Sequence, residues 1–121
     1  MRSLDKGIDA EALACDYLLA QGLALVERNF RSRHGEIDLV MQDRDSLVFI
    51  EVRYRRQSRY GSGAESVDRR KQAKITACAR HFIQCHPRSA DRPCRFDVMA
   101  VSGDLLQPEI EWIRDAFPTA G

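Results

Sequence analysis

Long apolar runs are absent: no stretch of the 121 residues approaches the roughly 18 needed to cross a bilayer as a helix. Residues 1–6 also lack the apolar segment of a secretion signal, so a cytoplasmic protein with no membrane partner is expected. Excess charge is missing too, since the formal net charge is only +1 and bulk charge does not advertise a polyanionic partner. There is no C-x-x-C pair among Cys15, Cys78, Cys85 and Cys94, which speaks against a redox motif or a zinc knuckle. Cys78, His81, Cys85 and His86 are close in sequence, but on one helix they would occupy different faces, and no second cluster completes a tetrahedral set. With no internal repeat and no linker, a single domain spanning residues 1–121 is expected.

Charge is unevenly placed. From Arg53 to Lys74 there are eight basic residues (Arg53, Arg55, Arg56, Arg59, Arg69, Arg70, Lys71 and Lys74) against Glu65 and Asp68. Such a segment can supply phosphate contacts in a nearly neutral protein, or simply form a solvated surface.

Periodicity gives the elements. Residues 8 to about 21 read as a helix, with Ile8, Ala12, Cys15, Leu18 and Leu19 at helical spacing and Gly22 as a stop. Residues 23–26 read as a short strand. Residues 35–41 and 46–54 are the clearest strands, separated by a turn, and Gly61 and Gly63 mark a loop after them. Asp68 is a candidate N-cap for a helix to about Cys85, with Ile75, Cys78, Ala79, Phe82 and Ile83 on its apolar stripe. A polar connection over residues 87–93 leads to a strand at 95–101, and residues 110–113 read as an edge strand. The predicted fold is α/β, a mixed sheet of about five strands flanked by helices.

The central hairpin can be read pair by pair. With a two-residue loop at Arg44-Asp45, Leu39 faces Ile50, Met41 faces Val48 and Ile37 faces Val52, making one face apolar. On the other face Val40 meets Phe49, Asp38 meets Glu51 and Glu36 meets Arg53. Like charges directly opposed across a ladder are destabilising unless a cation sits between them. Hard divalent cations favour such oxygen ligands, but a solvent-exposed, arginine-neutralised pair would give the same pattern. Glu11 lies in line with Ile8, Cys15 and Leu18, and Gln72 with Ile75, Ala79 and Phe82, so each puts a polar group near an inward stripe. A cation with bound waters would satisfy both; so would plain access to solvent.

These blocks carry a resemblance. Gly35-Glu36-Ile37-Asp38-Leu39-Val40, Leu47-Val48-Phe49-Ile50-Glu51-Val52-Arg53, Arg70-Lys71-Gln72 and Arg95-Phe96-Asp97-Val98 resemble the YraN-like bacterial family. So does the upstream helix with Glu11, ending in Tyr17-Leu18-Leu19-Ala20-Gln21-Gly22, with Asn29-Phe30-Arg31 after it. The resemblance runs from about Gly7 to Phe117. That family is similar to the restriction-endonuclease-like nucleases, notably the archaeal Holliday junction resolvases. The resemblance therefore implies a restriction-endonuclease-like core. It implies Mg²⁺ or Mn²⁺ held by Asp38, Glu51 and the Val52 carbonyl, with Glu11 binding directly or through water, and Gln72 orienting substrate or water.

The sequence departs from the family at two positions: Arg53 stands where the motif usually has lysine, and Ala10 replaces a glycine before the helix glutamate. Lysine can lose its proton when desolvated; arginine remains charged, which suits holding a phosphate better than acting as a base. Metal-assisted hydrolysis of a nucleic-acid phosphodiester is thus the leading expectation, with DNA, branched DNA in particular, favoured by analogy. Arg53 would steady the phosphate, and Arg55, Arg56, Arg59, Arg69, Arg70, Lys71 and Lys74 would track the backbone. Tyr54 and Tyr60 are candidates for stacking on bases or for packing. The alternative is a catalytically impaired nucleic-acid-binding module of the same fold, and a third is a protein-interaction subunit. Junction resolvases pair up to cut two strands, which raises a homodimer, although no residue singles out a dimer surface.

Overall fold

Two helices cover opposite faces of one twisted sheet in the computed structural model, which describes residues 6–56 and 67–118, with side chains from Ala10 onward. The elements are α1 (Lys6–Ala20), β1 (Ala24–Ser32), β2 (Gly35–Asp43), β3 (Ser46–Arg55), α2 (Arg69–Cys85), β4 (Cys94–Ser102) and β5 (Glu109–Phe117). A short 3-10 turn, Pro87–Ser89, interrupts the polar connection before β4. The Ile8 side chain, Arg59, Tyr60, Gly61, Gly63 and Glu65 lie outside the described residues.

The five strands run in sequence order, β1-β2-β3-β4-β5, antiparallel throughout except for the parallel β3–β4 pair. The sheet is therefore mixed, as expected, because the one parallel pairing needs a crossover, which contains α2. The middle of β3, Leu47-Val48-Phe49-Ile50, is buried on both faces. Leu47 and Phe49 pack with Ile75, Cys78 and Phe82 of α2, while Val48 and Ile50 pack with Ala14 and Leu18 of α1. A continuous apolar run in a doubly covered strand is the expected pattern. Asp68 caps α2 as predicted, its side chain accepting from the Lys71 N–H.

Three strands are longer or less regular than periodicity suggested. β1 extends to Ser32 with Asn29 at φ +54°, a left-handed conformation that asparagine tolerates better than most residues. The ladder pairs Arg28 with Leu39 and Phe30 with Ile37, leaving Asn29 and Asp38 between the two pairs. Across this kink Ile37 follows Phe30 into the cluster under α2, whereas Leu39 and Met41 join the α1 side. The expected single apolar face of Ile37, Leu39 and Met41 is therefore corrected: alternation breaks at Asp38.

β5 runs on to Phe117 because its register shifts opposite β4, with Asp115 at φ +53°. Asp97 of β4 organises that irregularity. Fully buried, it accepts from Arg95 Nε (3.0 Å), Trp112 Nε1 (2.9 Å) and the Asp115 N–H (2.9 Å). Arg95 also reaches Asp43 at 3.0 Å, tying β4 to the end of β2. Removing one member of a buried, hydrogen-bonded ion pair strands the other. Asp97→Ala should lower unfolding stability by about 3–5 kcal/mol, read from the urea midpoint.

Candidate active site

Backbone pairing between β2 and β3 matches the predicted register from Asp43↔Ser46 to Leu39↔Ile50 and then stops. Asp38 and Glu51 are thus not a backbone-paired couple. In place of the next rung, the Val52 N–H donates to Asp38 Oδ2 at 2.8 Å. β3 meanwhile remains paired to β4, with Glu51 opposite Val98 and Val52 opposite Met99. The aspartate side chain therefore occupies the place where a backbone acceptor would otherwise lie.

Both carboxylates are buried, Asp38 at 8% exposure and Glu51 at 6%. Burial first, and then the negative charges of Glu51, Glu11 and Glu36, push the Asp38 carboxyl up to about 7, opposed by the Val52 hydrogen bond. Glu11, reaching in from α1, lies within hydrogen-bonding range of Asp38 and Asn29; burial raises its pKa, with Arg28 opposing. At the interruption in the strand pair, Asp38 of β2 thus feels the carboxyl groups of Glu51 on β3 and Glu11 on α1.

Glu51 is the better compensated of the central pair. Its Oε2 lies 3.2 Å from Arg53 Nη1 and 3.4 Å from Lys71 Nζ. The expected Glu36–Arg53 pairing does not form: Glu36 instead sits 3.5 Å from Arg31 in an exposed contact, and Arg53 turns to Glu51. Gln72 is not brought to the carboxylates. Its Nε2 donates to the Val67 carbonyl at 2.9 Å, just upstream of the helix. Lys71, expected only among the phosphate contacts, is the α2 residue that enters the centre. Helix phase places residues 71 and 72 on either side of the buried stripe, and the longer lysine arm bridges to β3.

The remaining basic candidates divide. Arg55 and Arg56 are exposed at the end of β3, and Arg69, Arg70 and Lys74 are exposed on α2, while Arg59 is outside the described residues. Tyr54 packs beside the α1 cluster and donates to the Gly103 carbonyl at 2.8 Å, so it is a packing residue. Cys78 is buried near the Gly35 carbonyl, whereas Cys85 is exposed beside His81.

Among the described residues, no group of three His, Cys, Asp or Glu side chains is spaced as a complete metal cage. Magnesium does not require one: it keeps several waters and is commonly bound through one or two carboxylates. Asp38 and Glu51, both hard oxygen donors with a raised proton affinity on the first, suit that mode, with Glu11 within reach of Asp38.

The raised Asp38 pKa has a definite linkage sign. The folded chain holds a proton up to about pH 7 that the unfolded chain, with a value near 3.8, has already released. Stability from this group is therefore complete below about pH 4 and lost as pH rises to about 7. The loss is on the order of a few kcal/mol at 1.36 kcal/mol per unit. Asp38→Asn, which keeps an acceptor for Val52, should flatten this slope between pH 4 and 7 and raise the melting temperature at pH 8 in chelator.

The model of the Uncharacterised protein family UPF0102 matches residues 10–101. The chain is 51% identical over 113 residues to a UPF0102 protein of Nitrosococcus oceani, covering 93% of this chain and 91% of the relative. It is 50% identical over 115 residues to one from Stutzerimonas stutzeri, covering 95% and 96%. A UPF0102 protein of Alcanivorax borkumensis is 47% identical over 112 residues, covering 92% and 90%.

Proposed function

This chain belongs to the Uncharacterised protein family UPF0102, and we propose that it is a metal-dependent nuclease. Its core would be restriction-endonuclease-like, consistent with the YraN-like resemblance, and its reaction the hydrolysis of nucleic-acid phosphodiesters. The observation that carries this reading is Asp38: a buried carboxyl, raised to about 7, beside Glu51 and Glu11 where the strand pairing ends. Burying like charges costs stability unless something positive offsets it. Arg53 and Lys71 lie against Glu51, whereas Asp38 accepts from the Val52 N–H and meets the negative charges of Glu51, Glu11 and Glu36.

Asp38 and Glu51, with Glu11 and the Val52 carbonyl in support, would hold Mg²⁺ or Mn²⁺. When bound, such an ion lowers the pKa of a water and polarises a phosphoryl oxygen. The protein's own groups do the rest. Arg53, already beside Glu51, would hold a nonbridging oxygen of the scissile phosphate and stabilise the charge that builds there. Lys71 supplies an amine 3.4 Å from Glu51, restoring from α2 the group missing at position 53 of the strand motif. An amine that is desolvated by substrate can give up its proton, which a guanidinium cannot. Arg55, Arg56, Arg69, Arg70 and Lys74 would add phosphate contacts.

The fixed charge of Arg53 favours a second reading, a nucleic-acid-binding module with impaired chemistry. The two separate cleanly on labelled branched and linear DNA with Mn²⁺. Cleavage by wild type that disappears in Asp38→Asn and Glu51→Gln supports the nuclease. Binding without cleavage by wild type, with cleavage gained by Arg53→Lys, supports the module. In the enzyme, Lys71→Ala and Lys71→Arg should both slow turnover by about 10²-fold if proton transfer is involved; activity retained by Lys71→Arg would restrict Lys71 to charge.

Metal uptake should also displace the Asp38 proton. Calorimetry at pH 6 in buffers of different ionisation enthalpy should show about one proton released per ion, and none in Asp38→Asn. Uptake of Mn²⁺ that is the same in wild type and both carboxylate variants would sink the proposed centre.

A further inference from the structure

Two open depressions run beside α2, and both are lined by residues of the β1–β2 turn. One is bounded by Arg31, Arg33, His34, Glu36, Lys71 and Lys74; the other shares Arg33 and His34 and continues to Arg80 and His81. Among the described residues, their walls together carry five Arg or Lys side chains and one acidic residue, Glu36. Arg33, Lys74 and Arg80 are exposed, and Arg31 makes an exposed contact with Glu36.

The floor between turn and helix is firm. Gly35 has φ +144°, open to glycine and poorly accessible to other residues, and a Cβ there would lie 3.7 Å from the Lys74 Cβ. The Cys78 thiol, on the next turn of α2, contacts the Gly35 carbonyl at 3.5 Å. The Cys78 contact thus seats the turn beside the helix, where Arg33 and the Lys71–Lys74 side of α2 line the same depression.

We propose that this paired depression is the track for a nucleic-acid strand, entering the centre at Lys71 and leaving along α2 past Arg33 toward Arg80. This rests on the nuclease reading above and gives its substrate a direction. At 1.5 Å per residue, the helix face from Lys71 to Gln84 is about 20 Å long, enough for several successive phosphates. A row of cations along two shallow, open depressions suits a repeating anion rather than a compact organic ligand. Lys71 joins the row to the centre because the same ammonium contacts Glu51. Of these groups, Arg31, Arg33, His34, Arg80 and His81 lie outside the basic segment that stands out in the sequence.

The test is fluorescence anisotropy of a labelled oligonucleotide, single-stranded and duplex, with the full chain in chelator over a salt series. Wild type should bind with an affinity that falls steeply with salt. Arg33→Ala/Lys74→Ala should reduce the log–log salt slope by about two and weaken binding about tenfold or more. The charge-conserving Arg33→Lys/Lys74→Arg should keep both, and Arg88→Ala, outside both depressions, should lose neither more than about half its affinity nor a full unit of slope.

No binding by wild type, or an unchanged slope in Arg33→Ala/Lys74→Ala, overturns the track. So does displacement of the oligonucleotide by pyrophosphate or an acidic peptide at equal anion concentration, which would mark a small-anion or protein site. Because binding is read without metal, the two proposals fail separately. Loss of the Asp38-dependent Mn²⁺ uptake with the slope change intact removes the nuclease reading alone. Normal uptake in Arg33→Ala/Lys74→Ala with an unchanged slope removes the track alone.

Discussion

A single N–H, that of Val52, ends the β2–β3 ladder by turning from backbone to the Asp38 carboxylate. The strands on either side make this arrangement stiff. β2 is paired to β1 at Leu39 and Ile37, and β3 is paired to β4 through the whole of Glu51-Val52-Arg53. Asp38 is consequently held in place by elements that have no electrostatic stake in it, while Glu51 and Glu11 are brought close by the same sheet and by α1. Packing on both faces of β3 supplies the stability against which this local repulsion is tolerated. Sites that depart from the local rules of stable structure are where function is most often found.

Much of this was visible in the residues. The hairpin turn sets its own register, and every backbone pair that forms between β2 and β3 is the one deduced from a two-residue loop. The α2 cap and stripe followed from Asp68 and from the spacing of Ile75, Cys78, Ala79 and Phe82. What failed was extrapolation of the ladder past its last backbone pair, Leu39 with Ile50. Period-two alternation assumes a regular strand, and the left-handed residues Asn29 and Asp115 break that assumption in β1 and β5. Such conformations are chosen by tertiary contacts such as the Asp97–Asp115 hydrogen bond, which local sequence does not display.

The choice between Lys71 and Gln72 illustrates a different limit. Both flank the buried stripe of α2, and spacing alone cannot say which one turns to the sheet. Side-chain length and a nearby competitor decide it: the Val67 carbonyl captures the short glutamine, and the lysine spans to Glu51. The basic groove was hidden for a related reason. Its members come from the β1–β2 turn and from the middle of α2, well apart in sequence, and Gly35 brings them together. A chain of net charge +1 can in this way place buried carboxyl groups beside a positive rim.

The parallel pairing of β3 with β4 bears on how the chain reaches this state. Thirty-eight residues separate Arg55 from Cys94, so the neighbouring hairpin can close on its own long before β4 arrives, because loop closure over that length is slow and entropically opposed. Until then the free side of Leu47-Val48-Phe49-Ile50 is an uncovered strand edge with strong β-forming residues and no charge among them. Newly made chains are thereby exposed to wrong pairing with one another during that interval. Refolding yield should accordingly depend on protein concentration far more than the surface of the folded chain would suggest.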